Sequence, residues 1–233
     1  MSTQTTEFRV DLIKPKSKNE PEKKRNFNNN SDLSTQNALD NKIATVVFAV
    51  SIGYATVRYN IFKGVPWTDW PLYVLNKAFA VSSLVLLAIN VLRYQFIKKR
   101  SNAKIFKFAM FLGFLHILIS FALLNPAYYD KFYLNGKLSF LAGVSYLLGA
   151  IATALIFNKG FSKELKNNRA TKIKVLSVLA FIIGSHATLQ AFQGWVPASA
   201  WPGYMPPLSM ISFLIGLFAL VLTFVLKRKK KLV

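Results

Sequence analysis

The fold is decided by KIFKFAMFLGFLHILISFALL, residues 104–124, and KVLSVLAFIIGSHATLQAFQ, residues 174–193. Each stretch is dominated by apolar side chains over about 20 residues, which is long enough to cross a hydrocarbon core of about 30 Å as a helix. Each contains one histidine, His116 or His186, and the chain of 233 residues has no other. The two stretches therefore predict two transmembrane helices, each with one ionisable group inside it.

Four further apolar segments of similar length accompany these two. We place the six predicted spans at residues 43–62, 72–92, 105–124, 139–158, 174–193 and 207–226. Each segment is continuously apolar, whereas the strands of a membrane barrel would alternate in short segments. The connections are short, so the sequence predicts an all-α fold, a polytopic membrane protein whose residues 43–226 form a six-transmembrane-helix bundle.

Both ends of the chain are polar. Residues 1–42 are rich in Asn, Lys, Ser and Glu and lack an apolar run, so they cannot bury enough surface to offset chain entropy. We expect a disordered cytosolic tail there, without a cleavable signal sequence. Residues 227–233 are expected to form a second, basic cytosolic tail.

The placement of lysine and arginine predicts the orientation of the spans. Of 30 such residues, 25 fall in the two tails and in the second and fourth connections. The opposite side receives Arg58, Lys63, Lys77, Lys131 and Lys137. Positive residues favour the cytoplasmic side. The sequence therefore predicts a multi-pass protein of the cell (inner) membrane with both termini in the cytoplasm.

Composition excludes several classes of site and partner. There is no cysteine, which excludes disulfides, cysteine-ligated iron–sulfur clusters and covalently attached haem. The net charge of +21 lies beside apolar spans, where anionic lipid headgroups would be, so the expected partners are membrane lipids and no nucleic acid. No glycine-rich dinucleotide fingerprint or P-loop occurs, so the chain has no nicotinamide domain of its own.

The two histidines occupy matching positions. Each lies twelve residues after the lysine that opens its span, Lys104 or Lys174, which is roughly 18 Å along a helix. Both spans would run outward, so the two imidazoles would share one depth, somewhat beyond the midplane. Buried ionisable groups in a membrane are functional-site candidates. A matched pair suggests one object held between them, and we expect a single b-type haem with axial ligands His116 and His186.

Two other interpretations of the pair stay open. Each histidine could simply hydrogen-bond a neighbouring helix, as polar residues in membrane bundles often do. A bare metal site is less favoured, because zinc or iron would need a third or fourth ligand and no Asp or Glu lies mid-span. The small residue Gly113, on the same face as His116, would leave room for a flat macrocycle, whereas Gly184 would point away from His186. Ser185 or a backbone carbonyl could hold the second ring nitrogen of His186.

Arg58 and Lys77 lie near the outer ends of the first and second spans. Basic groups pair well with carboxylates, so both could anchor the haem propionates. Both could equally extend to the outer lipid headgroups.

Further residues carry a resemblance to a known family. They are Gly113-Phe114-Leu115-His116, then Asn125-Pro126-Ala127-Tyr128-Tyr129-Asp130-Lys131-Phe132-Tyr133, the turn Asn135-Gly136-Lys137, Leu141-Ala142-Gly143-Val144, Gly194-Trp195-Val196-Pro197 and Trp201-Pro202-Gly203-Tyr204-Met205-Pro206-Pro207. With the topology and the histidine placement, this arrangement over residues 43–226 resembles the ferric-reductase-like transmembrane domain superfamily. That group includes the haem-binding membrane subunit of the methionine sulfoxide reductase system.

The resemblance implies a membrane cytochrome b, the electron-transfer component of an oxidoreductase, with His116 and His186 as iron ligands. Many members carry two histidines on each of these helices and stack two haems, whereas this chain can hold at most one. Electrons would then come from a quinol, from a bound flavin or from a partner protein. They would pass to an outer acceptor, a ferric chelate or a periplasmic reductase. The alternative is a non-redox membrane protein, a small transporter or an assembly factor, with structural histidines.

Overall fold

The computed structural model describes residues 20–97, 103–157 and 168–229, and most of them are helical. Seven α-helices follow one another along these residues. They are α1 Glu20–Thr56, α2 Leu75–Phe96, α3 Ala103–Ala122, α4 Phe140–Phe157, α5 Arg169–His186, α6 Thr188–Ala191 and α7 Leu208–Lys229. Two π-helical segments, Val57–Phe62 and Trp70–Val74, continue α1 and precede α2.

The chain divides into two compact units, Met1–Ala38 and Leu39–Val233. Within the first unit the described residues belong to α1, which begins at Glu20. The structure therefore differs from the predicted disordered tail over residues 20–42, which are helical, while residues 1–19 lie outside the described residues. Adding a residue to an existing helix is far easier than starting a new one, so a helix nucleated in the apolar segment can extend into polar sequence.

Each predicted span overlaps an apolar helix, and five helical segments are long and apolar enough to cross a membrane. These five are Ser34–Phe62, Trp67–Phe96, Lys104–Ala122, Arg169–Trp195 and Pro202–Val225. The fourth predicted span contains a shorter apolar helix, Phe140–Ile156. The expectation of a helical, membrane-type chain is confirmed at this level. Of the predicted basic tail, residues 227–229 continue α7 and residues 230–233 lie outside the described residues.

The fifth predicted span is not one continuous helix. Helix α5 begins at Arg169, because the side chain of Asn168 caps it by accepting the backbone N–H groups of Ala170 and Thr171. It ends at His186, whose carbonyl accepts a hydrogen bond from the hydroxyl of Ser145 in α4. The bond satisfies one of the carbonyls that a helix end leaves without an intrahelical partner.

A small β-hairpin precedes α4. Strands Tyr133–Leu134 (β1) and Lys137–Leu138 (β2) pair antiparallel around Asn135 and Gly136. Both turn residues have positive φ, 51° and 75°, as a two-residue hairpin turn of the primed type requires. The predicted turn at Asn135-Gly136-Lys137 is confirmed.

Helix α2 lies at the centre of the bundle. It packs against α3, α5 and α7, while α4 packs against α5. Helix α1 joins this core through Phe48, whose ring stacks on Phe79 of α2 with the centroids 5.4 Å apart. The polar side chains of Asn76, Ser82 and Asn90 in α2 are buried.

The backbones of α5 and α7 approach each other closely. A Cβ added at Gly184 would lie 2.4 Å from the carbonyl oxygen of Ser212, and one at Gly216 would lie 2.7 Å from that of Ala180. Such contacts are too short for a side chain, so both glycines allow the two backbones to approach. Small residues spaced four apart are a common device for close packing of membrane helices.

One ion pair lies at the opposite end of the bundle from the hairpin. Asp40 of α1, fully buried, accepts from Arg93 of α2 at 2.5 Å. The second carboxylate oxygen of Asp40 has no hydrogen-bond partner within the described part of the chain. Nearby, Arg169 donates to the carbonyls of Tyr94 and Ile97 at the end of α2.

Removal of the Arg93 side chain should leave the buried Asp40 carboxylate without its ion-pair partner. We expect Arg93→Leu to lower the free energy of unfolding in detergent by roughly 3–5 kcal/mol, because Asp40 loses its only described partner. The double variant Asp40→Leu/Arg93→Leu should recover much of this loss, and Lys42→Leu, a change at an exposed site of α1, serves as the control. Equal stability of Arg93→Leu and the wild type would show that the pair does not hold α1 to α2.

The α5–α7 contact gives a second test. Gly184→Ala should destabilise the protein by about 1–3 kcal/mol, because the added methyl group meets a backbone carbonyl that cannot move alone. Gly149→Ala in α4 is the matched control, since nothing lies within 4 Å of its Cβ. The measurement is thermal unfolding of both variants in the same detergent. A Gly184→Ala protein as stable as Gly149→Ala would contradict the close contact.

Candidate functional site

The connections between the helices meet at one end of the bundle, which we call the loop end (residues 57–74, 123–139 and 187–207). Tyr73 stacks with Tyr128 at 6.2 Å, and Gln190 hydrogen-bonds Ser139 at 3.0 Å. A Cβ at Gly203, where φ is +59°, would collide with the ring of Phe62. These contacts tie all three loop segments together. The loop end contains the connections that the charge distribution assigned to the outer side.

The structure brings the two histidines together near the loop end. His116 lies in the last two turns of α3, and His186 is the last residue of α5. Their ring centroids are 6.2 Å apart, and the ring planes are inclined by 61°. Both side chains are partly buried among the helices. Two residues 70 positions apart in the chain thus form one site.

His116 is held by α2 and by its own helix. Its Nδ1 lies 2.8 Å from Oδ1 of Asn76 and 3.2 Å from the backbone carbonyl oxygen of Asn76. The hydroxyl of Ser120, one turn further along α3, lies 3.3 Å from the same nitrogen. Both Asn76 atoms can only accept a hydrogen bond, so the Nδ1 of His116 carries the proton and donates it.

The same argument applies to His186. Its Nδ1 is hydrogen-bonded to the backbone carbonyl of Ile183, three residues earlier in α5, and a carbonyl oxygen only accepts. Of the two partners that the sequence suggested for this nitrogen, the structure has a backbone carbonyl, whereas the hydroxyl of Ser185 has no hydrogen bond within the described residues. Both histidines therefore carry their proton on Nδ1 and have the lone pair on Nε2.

Asn76 connects His116 to the loop end. Its Nδ2 donates to the hydroxyl of Ser120 at 3.0 Å and to the phenol oxygen of Tyr129 at 3.1 Å. Burial raises the pKa of the Tyr129 phenol, although the hydrogen bond from Asn76 partly opposes this shift, and so Tyr129 stays neutral. The result is a continuous chain of hydrogen bonds from a loop tyrosine to the imidazole.

The structure shows a packing role for Gly113. A Cβ at this position would lie 2.9 Å from Oγ of Ser83 in α2, so Gly113 lets α3 approach α2. Its expected role in making room for a macrocycle stays a prediction. Gly184 faces α7, as the sequence suggested that it would point away from His186.

Arg58 is buried and bound to the loop between α6 and α7. Only 7% of its surface is exposed, and its guanidinium donates to the backbone carbonyl of Met205. Tyr54, one turn earlier, donates to the next carbonyl, that of Pro206, at 2.7 Å. A guanidinium has five N–H groups, and this bond uses one of them, while Nε of Arg58 has no hydrogen-bond partner within the described residues. The expected role of Arg58 at the haem propionates therefore stays a prediction.

Lys77 lies among the faces of three tyrosines. Its ammonium nitrogen is 3.8 Å from the ring centroid of Tyr73, 5.1 Å from that of Tyr59 and 5.3 Å from that of Tyr129. The negative face of each ring attracts the cation, so this cage stabilises a lysine in an apolar surrounding. Lys77 thus differs from a freely extending lysine, and it lies next to Asn76 in sequence.

A cavity of about 290 Å³ also opens at the loop end. It is lined by Lys131, Leu141, Leu189, Gln190, Gln193 and Gly194. One ammonium group and two amides among its walls suit an anionic or carboxylate-bearing small molecule.

Sequence reasoning missed Asn76, Ser120 and Ser145, the polar residues that support the histidines. Ser120 lies four residues after His116, which places both on one helix face, and that spacing could have identified it. Asn76 and Ser145 come from other helices, and nothing in their own spans points to a histidine.

Among the described residues, no group of three or more His, Asp or Glu side chains gathers as a bare metal ion would require. Comparisons with models of protein families, with curated proteins and with solved structures find no match to this chain. The resemblance to the ferric-reductase-like superfamily therefore stays a prediction.

Proposed function

We propose that the protein is a multi-pass membrane cytochrome b whose six apolar helices all cross the cell membrane, with both termini in the cytoplasm. His116 and His186 would hold one haem b, which supplies one-electron transfer when bound. Electrons would leave toward an acceptor at the loop end, on the outer side, in the manner of the ferric-reductase-like superfamily.

The separation of the two rings carries this proposal. The centroids of the two rings are 6.2 Å apart, so one group placed between the rings could contact both imidazoles. His116 and His186 would hold the haem iron, and the haem would need no further ligand from the protein.

The hydrogen bonds of the pair give independent support. A ligating histidine almost always donates its other ring N–H to a carbonyl, a carboxylate or water, which fixes the tautomer and raises ligand basicity. Here His116 donates from Nδ1 to Asn76, and His186 donates from Nδ1 to Ile183. Each histidine therefore has Nε2 available for iron.

Arg58 and Lys77 keep their proposed role near the haem propionates. Arg58 uses one of its N–H groups on Met205, and its Nε has no hydrogen-bond partner within the described residues. Lys77 lies over three tyrosine rings, and these contacts leave its N–H groups able to donate. The positive charges of both residues lie near the loop end and would favour the negatively charged propionates of a bound haem.

The electron donor would have to deliver directly to the single haem, since no second histidine pair exists in the chain. A quinol from the bilayer, a bound flavin or a reductase protein would meet this need. The acceptor would be a ferric chelate or a partner reductase, and the cavity beside Lys131 and Gln190 suits the carboxylates of a chelate.

A second function is favoured by one observation. Both histidines already donate to partners within the bundle, so part of the cost of their burial is offset without any cofactor. In that case the protein would be a small transporter or an assembly factor, and the histidines would be structural.

The absence of native cysteine makes the proposed orientation directly testable. We expect Asn135→Cys, in the hairpin, to react with a membrane-impermeant maleimide on intact cells, and Ser162→Cys, in the connection between α4 and α5, to react only after permeabilisation. The wild type, which has no thiol, is the unlabelled control. Labelling of Ser162→Cys on intact cells, or of both positions from one side, would contradict two cytoplasmic termini with six crossings.

The cofactor is tested by a reduced-minus-oxidised absorption spectrum of the purified protein in detergent. We expect Soret and α bands in the wild type and in Thr68→Ala, an exposed polar-to-alanine control at the loop end. The bands should be lost in His116→Ala and in His186→Ala, because a single axial imidazole holds haem far more weakly than two. A colourless wild type that takes up no added haem would favour the structural histidines. The same sample should be examined for flavin.

A further inference from the structure

We infer that Asn76 is the positioning residue of His116: it holds the imidazole as the Nδ1–H tautomer and transmits to it the conformation of the connection that follows α3. This inference deepens the proposed function, on which its consequences for haem rest. The tautomer itself can be tested without any cofactor.

Two atoms of Asn76 decide the tautomer. Oδ1 lies 2.8 Å from Nδ1 of His116, and the backbone carbonyl oxygen lies 3.2 Å from it. Reversal of the side-chain amide would turn Nδ2 toward the imidazole and call for a lone pair on Nδ1. The backbone carbonyl cannot be reversed in this way, and it would then face that lone pair. With the proton on Nδ1, both the carbonyl oxygen and Oδ1 of Asn76 face a hydrogen-bond donor.

Two hydroxyl groups hold the amide in this orientation. Nδ2 donates to Oγ of Ser120 at 3.0 Å and to the phenol oxygen of Tyr129 at 3.1 Å, so both of its hydrogens are used. Asn76 is 1% exposed, so water does not compete for these bonds. The amide thus has a polar partner at every atom, a condition under which a buried network fixes one conformation.

Tyr129 extends the network beyond the helices. It lies in the connection between α3 and the hairpin, its ring contacts Tyr73 and Phe132, and the same ring forms one wall of the Lys77 cage. A partner or ligand that moved this connection would displace the phenol, release one hydrogen of Nδ2 and loosen the amide. The strength of His116 as a ligand is therefore coupled to the loop end.

The direct test is nitrogen NMR of protein labelled with 15N-histidine and prepared without haem. The chain has two histidines, so the spectrum contains two imidazoles, and His186, bound to the carbonyl of Ile183, is an internal reference. We expect both to be in the Nδ1–H form in the wild type. Asn76→Leu removes Oδ1 and keeps only the longer contact to the backbone carbonyl at 3.2 Å, so the Nδ1–H form of His116 should lose part of its advantage and a mixture of tautomers should appear, with His186 unchanged.

Graded variants separate a positioning role from general loosening. Tyr129→Phe removes one of the two acceptors of Nδ2, and Ser120→Ala removes the other, so each should shift His116 less than Asn76→Leu does. Asn76→Asp keeps the size of the side chain and an acceptor oxygen, so it should preserve the Nδ1–H form of His116. The carboxylate is a stronger acceptor, so the NMR signal of the proton on Nδ1 should move further downfield. If Asn76→Leu does not fold, the other two variants still test the positioning role. Asn76→Asp should preserve the Nδ1–H form of His116, whereas Tyr129→Phe should reduce its population.

With haem bound, the same variants make a second prediction. Asn76→Leu should weaken haem binding by about 10–100-fold, as is typical when the partner of a ligating histidine is removed. Asn76→Asp should bind haem and show a lower midpoint potential than the wild type, because a more basic imidazole favours ferric iron. If Asn76 had only a structural role, Asn76→Asp would not change the midpoint potential as long as the thermal stability of the protein was unchanged.

The outcomes distinguish the two proposals. A His116 tautomer that does not respond to Asn76→Leu or Tyr129→Phe overturns the positioning role, even if haem binds. A tautomer that responds in a protein that binds no haem supports the positioning role and rejects the cytochrome. Equal midpoint potentials in the wild type and Asn76→Asp would also overturn the inference.

Discussion

The hydrogen bond between His116 and Asn76 is the interaction on which the site depends, because a polar group inside an apolar bundle has only the protein to pair with. An unpaired polar group in such surroundings costs several kcal/mol, roughly as much as one or two good packing contacts return. The same constraint explains the ion pair of Asp40 with Arg93 and the carbonyl held by Arg58. Each of these three interactions therefore also fixes which two segments are neighbours.

Close backbone contacts join the helices around the histidines. Gly113 allows α3 to approach α2, and Gly184 with Gly216 allows α5 to approach α7. Helix α2 packs against α3, α5 and α7, so the helices that carry His116 and His186 share α2 as a neighbour.

The sequence was sufficient for the helices, the hairpin turn and the pairing of the histidines, since each follows from local composition or from equal counting along two spans. It was not sufficient for Asn76 or for Asp40. Nearly every face of these spans is apolar, so no amphipathic stripe tells which face meets which neighbour. The partner of Asp40 lies 53 residues away, and a carboxylate in polar sequence resembles a solvated tail until that partner is known. Charge alone also did not show that Lys77 would face tyrosine rings.

The arrangement of nitrogens bears on the choice between a haem and two structural histidines. A histidine kept only for structure gains most stability when both of its ring nitrogens are hydrogen-bonded. Within the described residues, the hydrogen bonds of both histidines use Nδ1 alone. The centroids of the two rings are 6.2 Å apart. Neither Nε2 carries a proton in this tautomer, so the two Nε2 atoms cannot form a hydrogen bond with each other. An electron-pair acceptor between them would use both lone pairs at once, and this is the physical reason for preferring a shared iron.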